Sequence, residues 1–215
     1  GHIPQHDPYQ QNLKRLRLGD YKQRFLSEEE IERLLRVCRA NRHPYIYHIV
    51  QLLLLTGARK GEVRTMRWRD IDFGKRIWTV PLSKNGRSRR VVLSSAAVDT
   101  LNASRAVTEE LMLPMKSDSY VFTNPITRTA YHSFNTVWFK VRAEADLDDV
   151  RIHDLRHTYA SLLINRGVSL YEVQRLLGHS SLQMTQRYAH LEPDLLHRRT
   201  ELLSGVINTS LKDDA

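Results

Sequence analysis

The chain has a single cysteine, Cys38, in 215 residues. One thiol cannot form an intramolecular disulfide, which is typical of a reducing compartment, and we expect a cytoplasmic protein. Cys38 shares an apolar helical register with Leu34 and Leu35, so we interpret it as a small core residue. Long apolar runs are missing as well, because the longest, residues 49–55, is interrupted by Gln51 and is too short to span a bilayer. The sequence therefore predicts neither a disulfide scaffold nor a membrane protein.

Basic residues outnumber acidic ones, with 33 lysines and arginines against 24 aspartates and glutamates. The formal net charge of +9 favours a polyanionic partner, because lysine and arginine bound to phosphates release condensed counterions. The hydrophobic content of 41% allows one substantial core or two modest ones. Residues 1–24 show no apolar period and no secretory signal, so we expect a linker or a cloning remnant there. We expect one folded domain over residues 25–203 and a polar tail over residues 204–215.

Local signals place most of the helices. Ser27 and Glu30 form a capping box for a first helix, and Pro44 opens a second helix that Gly57 ends as a left-handed cap. A similar capping box precedes residue 170. The remaining helices are expected at residues 59–66, 96–106, 108–113, 133–144, 153–166, 170–177, 181–188 and 193–203.

Short β-prone runs replace the helical pattern between residues 68 and 93. The runs at residues 71–73, 77–80 and 90–93 predict three antiparallel strands, and the Asn85-Gly86 pair is a strong hairpin signal. The predicted fold class is therefore mainly α with a small three-stranded antiparallel β-sheet. Lys84 would lie at a hairpin tip, free to reach a ligand.

Six residues form a set of cations around one phenol. Such a set suits chemistry on a phosphodiester, because negative charge grows on the phosphate oxygens and needs fixed cationic donors. The six are Arg59, Lys84, His153, Arg156, His179 and Tyr188.

Helical spacing places His153, Arg156 and His157 on one helix face. Arg156 can bridge two phosphate oxygens with its planar fork, and His153 can accept a proton near neutral pH. We interpret His157 as a packed or capping histidine. A zinc site is the alternative, because two histidines four residues apart are typical of a zincin helix, but Asp154 stands where that motif has glutamate.

Arg59 follows the glycine cap of an apolar helix, at a helix start where the macrodipole attracts phosphate. We expect Glu62 to orient neighbouring cations rather than to react. Lys84 is suited to give a proton to a leaving oxygen, although a solvated basic hairpin is the alternative reading of this segment. The candidate DNA-binding residues of the hairpin are Arg87, Arg89 and Arg90.

Nine tyrosines compete for the role of nucleophile. Tyr45, Tyr47, Tyr120 and Tyr159 lie among apolar residues and are expected to be core aromatics. Tyr188 ends the polar segment S-L-Q-M-T-Q-R-Y, so we expect a mobile phenol that can reach a phosphate.

The order of these motifs resembles the catalytic domain of the tyrosine recombinases, also called the phage integrase family. The resemblance covers about residues 25–203, and the family pattern of Arg, Lys, His-x-x-Arg, His and Tyr falls on all six residues named above. It implies the DNA breaking-rejoining catalytic core of that family. The helical N-terminal core-binding domain that the family usually adds is expected to be absent from this chain.

The resemblance also implies a mechanism that requires no metal and no organic cofactor. Tyr188 would attack the scissile phosphate and form a 3′-phosphotyrosyl link, which keeps the bond energy for rejoining. The other implied roles are charge compensation by Arg59 and Arg156, general acid for Lys84, base for His153 and hydrogen-bond donor for His179.

The implied partner is double-stranded DNA, with a tetramer on paired recombination sites and a monomer as the isolated domain. No membrane is involved, and the protein would be associated with the nucleoid when it is on DNA. A type IB topoisomerase shares the phosphotyrosyl chemistry and is the first alternative. A noncatalytic DNA-binding module that uses only the basic surface is the second, and a metallohydrolase is a distant further reading.

Overall fold

The computed structural model describes residues 24–81, 88–179 and 181–191. Within these ranges seven α-helices carry a sheet of three antiparallel strands in the order β1-β2-β3, so the predicted fold class is confirmed. No helix in the described part of the chain is long and apolar enough to cross a membrane. The helices are α1 (Glu28–Ala40), α2 (Ile46–Thr56), α3 (Lys60–Arg64), α4 (Ser95–Glu110), α5 (Asn135–Glu144), α6 (Asp154–Asn165) and α7 (Leu170–Leu177). The strands are β1 (Ile71–Asp72), β2 (Ile77–Val80) and β3 (Arg89–Val92).

The capping signals of the sequence are confirmed at both ends of helices. Ser27 Oγ accepts from the Glu30 backbone N–H at 3.2 Å, and the Glu30 carboxylate accepts from the Ser27 N–H at 2.9 Å. Gly57 ends α2 with φ 59° and Gly178 ends α7 with φ 65°, both in the left-handed region. Arg59 comes two residues after the first glycine and His179 directly after the second. The backbone positions of both residues are therefore fixed by a helix end.

The helix α2 lies at the centre of the molecule. It packs against α1, α3, α4 and α6, and six of its side chains are buried. A helix that is apolar on most sides is stable only when other elements cover it. The core therefore holds the C-terminal end of α2 and with it the start of α3.

The two helices predicted at residues 96–106 and 108–113 are wrong, because the structure has the single helix α4 there. Thr108 is fully buried, and its hydroxyl bonds the Ser104 carbonyl at 2.8 Å and the Tyr45 hydroxyl at 2.9 Å. These contacts carry the helix through the position where the sequence suggested a break. It ends near Met112, whose φ of 51° no helix can continue.

The α-helix predicted at residues 181–188 is also wrong. The chain forms two 3-10 turns, Leu182–Met184 and Gln186–Leu191, and we name the second one the Tyr188 turn. Thr185 and Tyr188 are both buried, and in a 3-10 turn side chains three residues apart lie directly above one another. The helix predicted at residues 193–203 lies outside the described residues.

The described part of the chain buries two hydrophobic clusters. The large cluster includes α2, α4, α5 and the sheet, and it contains Cys38 as predicted. The small cluster joins α6, α7 and the Tyr188 turn, and its buried members are Ala160, Ile164, Val173, Leu177 and Tyr188.

Candidate active site

Arg59 occupies the N-cap position of α3, and Glu62 holds it there. The Glu62 carboxylate accepts from the Arg59 backbone N–H at 2.8 Å and from Arg59 Nη1 at 2.9 Å. Glu62 is buried, whereas the Arg59 side chain is 23% exposed. The prediction that Glu62 orients a neighbouring cation is confirmed, and it leaves the Arg59 guanidinium fixed but accessible.

Arg156 lies on α6 and connects the ends of two other helices. Its Nη1 donates to the Gly57 carbonyl oxygen at 2.5 Å, and its Nη2 donates to the Leu177 carbonyl oxygen at 2.9 Å. The side chain is buried, and this burial, together with the charges of Arg59 and Arg89, lowers the pKa of Arg156 to about 10. The guanidinium therefore remains charged at neutral pH, held close to two other arginines.

Gly57 permits this arrangement. Its φ of 59° favours glycine, and a Cβ at this position would lie 2.4 Å from Cδ1 of Tyr159 and 2.9 Å from Cδ2 of Leu177. The end of α2 can approach α6 and α7 this closely only without a side chain. The sequence showed the helix cap, and the structure adds the close contact.

The three arginines predicted as DNA contacts of the hairpin do not share one environment. Arg89 turns inward and contacts Glu62, whereas Arg90 is exposed on the other face of β3. Arg87 lies outside the described residues, and so does Lys84, the predicted general acid.

His179 follows the Gly178 cap and is half-buried. Its Nδ1 and the Thr185 hydroxyl are 2.8 Å apart in a hydrogen bond. Burial and the charges of Arg156 and Arg59 lower the pKa of His179 to about 3. The imidazole is therefore neutral at physiological pH and lies within the field of the arginines.

Tyr188 is buried, with 2% of its surface exposed, and this differs from the mobile phenol that we expected. Its hydroxyl lies 2.6 Å from Nδ1 of His157. Burial raises the pKa of Tyr188 to about 12, against an opposing effect of Arg187 and Arg156, and burial lowers the pKa of His157 to about 4. Both groups are thus neutral at pH 7, and the hydrogen bond joins the phenol oxygen to Nδ1 of the imidazole.

The sequence did not predict the contact between His157 and Tyr188. We expected a packed histidine, and it is buried, but its hydrogen-bond partner is the candidate nucleophile itself. The signal was its position on the same helix face as His153 and Arg156. Nothing local pointed to Tyr188, which is 31 residues away in sequence.

His153, the predicted base, is at the N-terminal end of α6 and is exposed. Its ring lies edge-on to the His157 ring, with the centroids 5.0 Å apart. The surrounding protein and the Arg156 charge lower the pKa of His153 below its usual value. In the described residues no group of three histidine, cysteine, aspartate or glutamate side chains could hold a metal ion.

The structure thus brings five of the six predicted site residues into one region. Arg156 lies within the electrostatic influence of Arg59, and the charge of Arg156 acts on His153, His179 and Tyr188. The sixth residue, Lys84, follows β2 in sequence but is not among the described residues.

Comparison with known proteins identifies the family of the chain. A family model described as the phage integrase family matches residues 24–194. The integrase of Salmonella phage P22 is 29% identical over 193 residues, which cover 87% of this chain and 49% of that protein. Tyrosine recombinase XerA of Saccharolobus solfataricus is 30% identical over 187 residues, covering 87% of this chain and 58% of that protein. The chain therefore spans about half the length of these relatives.

The fold is similar to a solved catalytic domain as well. The catalytic domain of bacteriophage HP1 integrase is 28% identical, with a TM-score of 0.62, and the match covers 82% of this chain and 93% of that structure. The helical body and the small antiparallel sheet are thus those of a tyrosine recombinase catalytic domain, and the chain belongs to the phage integrase family.

Proposed function

We propose that this chain is the catalytic domain of a site-specific DNA recombinase. It cleaves and rejoins double-stranded DNA through a 3′-phosphotyrosyl intermediate, with Tyr188 as the nucleophile. The observation that carries this proposal is the convergence of Arg59 and Arg156 beside a neutral His179 and the Tyr188 phenol. The ends of α2 and α7 hold Arg156 and His179 in place before any ligand binds.

The two arginines compensate the charge of the pentacoordinate phosphorane. Arg59 is partly exposed and Arg156 is fixed by two carbonyl oxygens, so both can donate to nonbridging oxygens without reorganisation. When the Thr185 hydroxyl donates to Nδ1 of His179, the proton of the ring is on Nε2, which adds a neutral donor. Lys84 gives the proton to the leaving 5′-oxygen.

The nucleophile has to leave its buried position in order to react. We assign to His157 the holding of the Tyr188 hydroxyl in the DNA-free domain, because both groups are buried together. We assign the removal of the proton to His153, which lies next to His157 but is exposed, where a phosphate can be present. A pKa below the usual value leaves His153 neutral and able to accept a proton at pH 7.

DNA is the proposed partner on grounds of charge and fold. The net charge is +9, and a XerH site-specific recombinase of the same fold was solved bound to its difH substrate. We propose that residues 25–203 act as a catalytic domain and that this domain works in a tetramer on paired sites. The isolated domain is a monomer that binds DNA weakly.

A trapping experiment tests the reaction without assuming a target sequence. The chain is incubated in EDTA with a pool of nicked duplexes whose central sequence is randomised. Cleavage near the nick releases a short oligonucleotide, so the covalent adduct accumulates and survives denaturing gel electrophoresis. Sequencing of the trapped DNA gives the site, and mass spectrometry of the peptide gives the attached residue.

The expected result is an adduct on Tyr188 from the wild-type chain and none from Tyr188→Phe. An adduct of equal yield from Tyr188→Phe would exclude this residue as the nucleophile. The absence of an adduct with every sequence of the pool would contradict the proposed reaction.

A further inference from the structure

Arg89 and Arg90 are neighbours in sequence but not in environment. Successive side chains of a β-strand point to opposite faces, and β3 begins at Arg89. Arg90 is exposed, whereas the Arg89 side chain is only 10% exposed. The side chain of Arg89 therefore points into the protein.

Arg89 binds the Glu62 carboxylate through two nitrogen atoms. Its Nε donates to Oε1 at 3.1 Å and its Nη2 donates to Oε2 at 2.6 Å. Glu62 also accepts two hydrogen bonds from Arg59, so one carboxylate is bound by two arginines. Two-pronged arginine–carboxylate contacts fix direction as well as distance. The orientation of Arg59 thus depends on Arg89 through Glu62.

Arg89 also packs against the turn that presents His179. A Cβ on Gly178 would lie 2.9 Å from Cδ of Arg89 and 3.3 Å from its Nη1. The side chain of Arg89 thus fills the space that the glycine leaves at the end of α7. Its charge adds to those of Arg156 and Arg59 in keeping His179 neutral, after the larger effect of burial on the pKa of that ring.

The charges of this cluster do not balance. Arg59, Arg89 and Arg156 lie around the single carboxylate of Glu62, and Nη1 of Arg89 is buried with no hydrogen-bond partner among the described residues. Replacing a buried ion pair by apolar residues is often neutral or stabilising, so stability alone does not account for such a cluster. An excess of fixed positive charge is what an anionic transition state requires.

We propose that Arg89 is a positioning residue of the phosphate site, which fixes Arg59 through Glu62 and supports the His179 turn through its contact with Gly178. This inference rests on the proposed function and adds to it a residue outside the six-residue family pattern. Arg90, on the exposed face of the same strand, remains a candidate contact to the DNA backbone.

The experiment measures single-turnover cleavage at saturating concentrations of the duplex recovered from the trapping pool. Arg89→Lys keeps the charge but loses the fork, and we expect cleavage to slow about 10-fold; with Arg89→Met we expect about 100-fold. The dissociation constant should change less than about threefold, because the Arg89 side chain is only 10% exposed and bonds Glu62. Arg90→Ala should instead weaken binding and reduce the salt slope by about 1.

A double variant separates positioning from a structural role. Arg89→Met with Glu62→Gln removes both charges of this pair and leaves only Arg59, which is partly exposed, without its carboxylate partner, so circular dichroism and thermal unfolding should show a folded chain. We expect it to remain about 100-fold slow, because Arg59 has lost its orienting partner. The matched control is Arg36→Met with Glu32→Gln on α1, an exposed pair at 2.7 Å, which should cleave within about twofold of wild type.

Three outcomes would overturn the inference: wild-type cleavage by Arg89→Lys and Arg89→Met, recovery of the rate in the double variant, or equal slowing by the control pair. A side-chain NMR measurement decides the question even if the wild-type chain forms no adduct. Rotation of the Arg59 guanidinium should be hindered in the wild type and free in Arg89→Met. Unchanged hindrance would refute the positioning role, whereas a missing adduct alone would refute the proposed function.

Discussion

The two halves of the candidate active site are held in different ways. The arginine–glutamate cluster, Arg59, Glu62, Arg89 and Arg156, is attached to the short helix α3, to α6 and to β3, and α3 and β3 pack on the large hydrophobic cluster. Tyr188 lies instead in a short 3-10 turn that belongs to the small cluster of five buried residues. The positive charge of the cluster is thus fixed by the packing of the fold, whereas the nucleophile lies in a short turn that is packed by few residues.

This difference corresponds to what each half has to do. Donors that stabilise a transition state act best when they are already in place, because no reorganisation is then needed during the reaction. A nucleophile that becomes covalently attached to DNA must move between a resting and a reacting position. The comparison predicts that variants of the cluster change the rate and stability strongly, and that variants of the residues that contact the Tyr188 turn change them less.

Replacement of Arg156 should have the largest effect. Arg156→Lys keeps a charge but cannot bridge the carbonyl oxygens of Gly57 and Leu177, so we expect adduct formation to fall about 100- to 1000-fold. The rate is measured on the suicide duplex, with DNA affinity measured in parallel. A loss in affinity alone, with a normal rate at saturation, would mean that Arg156 binds DNA without acting on the transition state.

Glu62→Gln should have the next largest effect. It leaves Arg59 and Arg89 without a counter-charge, and we expect the free energy of unfolding to fall by about 2–3 kcal/mol in urea titrations at pH 7. Burial opposes ionisation of Glu62, but the contacts to Arg89 and Arg59 outweigh it and lower the pKa of the carboxyl below its usual value.

The sign of the pH dependence follows from this pKa. A lowered pKa in the folded state stabilises the protein above the unfolded value of about 4.3, and the contribution is lost as the pH falls through the folded value. The stability difference between wild type and Glu62→Gln should therefore be complete near neutral pH and shrink below about pH 4. A difference that stays constant down to pH 3 would show that the charge of Glu62 is not what stabilises the cluster.

The frame of the fold is more predictable from sequence than the site. Ser27 with Glu30, and the glycines at positions 57 and 178, mark helix ends by contacts within a few residues, and all of them are found in the structure. The three strands follow in the same way from β-prone runs and turn residues. Signals of this kind are local and do not depend on tertiary structure.

The predictions are wrong where a contact with a residue distant in sequence determines the local structure. Thr108 continues α4 because it bonds Tyr45, which is 63 positions away, and Tyr188 is buried because α6 offers it His157. Arg89 was grouped with the surface arginines because a charge pattern does not show a carboxylate 27 residues earlier in the chain. In each case the local sequence was polar, and the partner that satisfied the polar group lay in another element.

The hydrogen bond between Tyr188 and His157 should have an intermediate effect. Tyr188→Phe leaves Nδ1 of His157 buried without its hydrogen-bond partner, and we expect a loss of about 1–2 kcal/mol in unfolding free energy. Tyr188→Phe with His157→Leu removes both partners and should cost less than the sum of the single changes. Additive losses would show that the 2.6 Å contact does not stabilise the buried phenol.

The smallest effect is expected for Thr185→Val, which removes the hydroxyl bonded to His179 at almost constant volume. The ring is half-buried and neutral, so the unfolding free energy should fall by less than about 1 kcal/mol. Adduct formation should slow about 3- to 10-fold, because the ring loses the contact that fixes its rotation and tautomer. Thr127→Val, which removes an exposed hydroxyl 3.0 Å from that of Thr129, is the matched control and should change neither quantity. If Thr185→Val slowed the reaction as much as Arg156→Lys, the His179 turn would be as rigidly required as the arginine cluster, and the division of the site into a fixed and a movable half would be wrong.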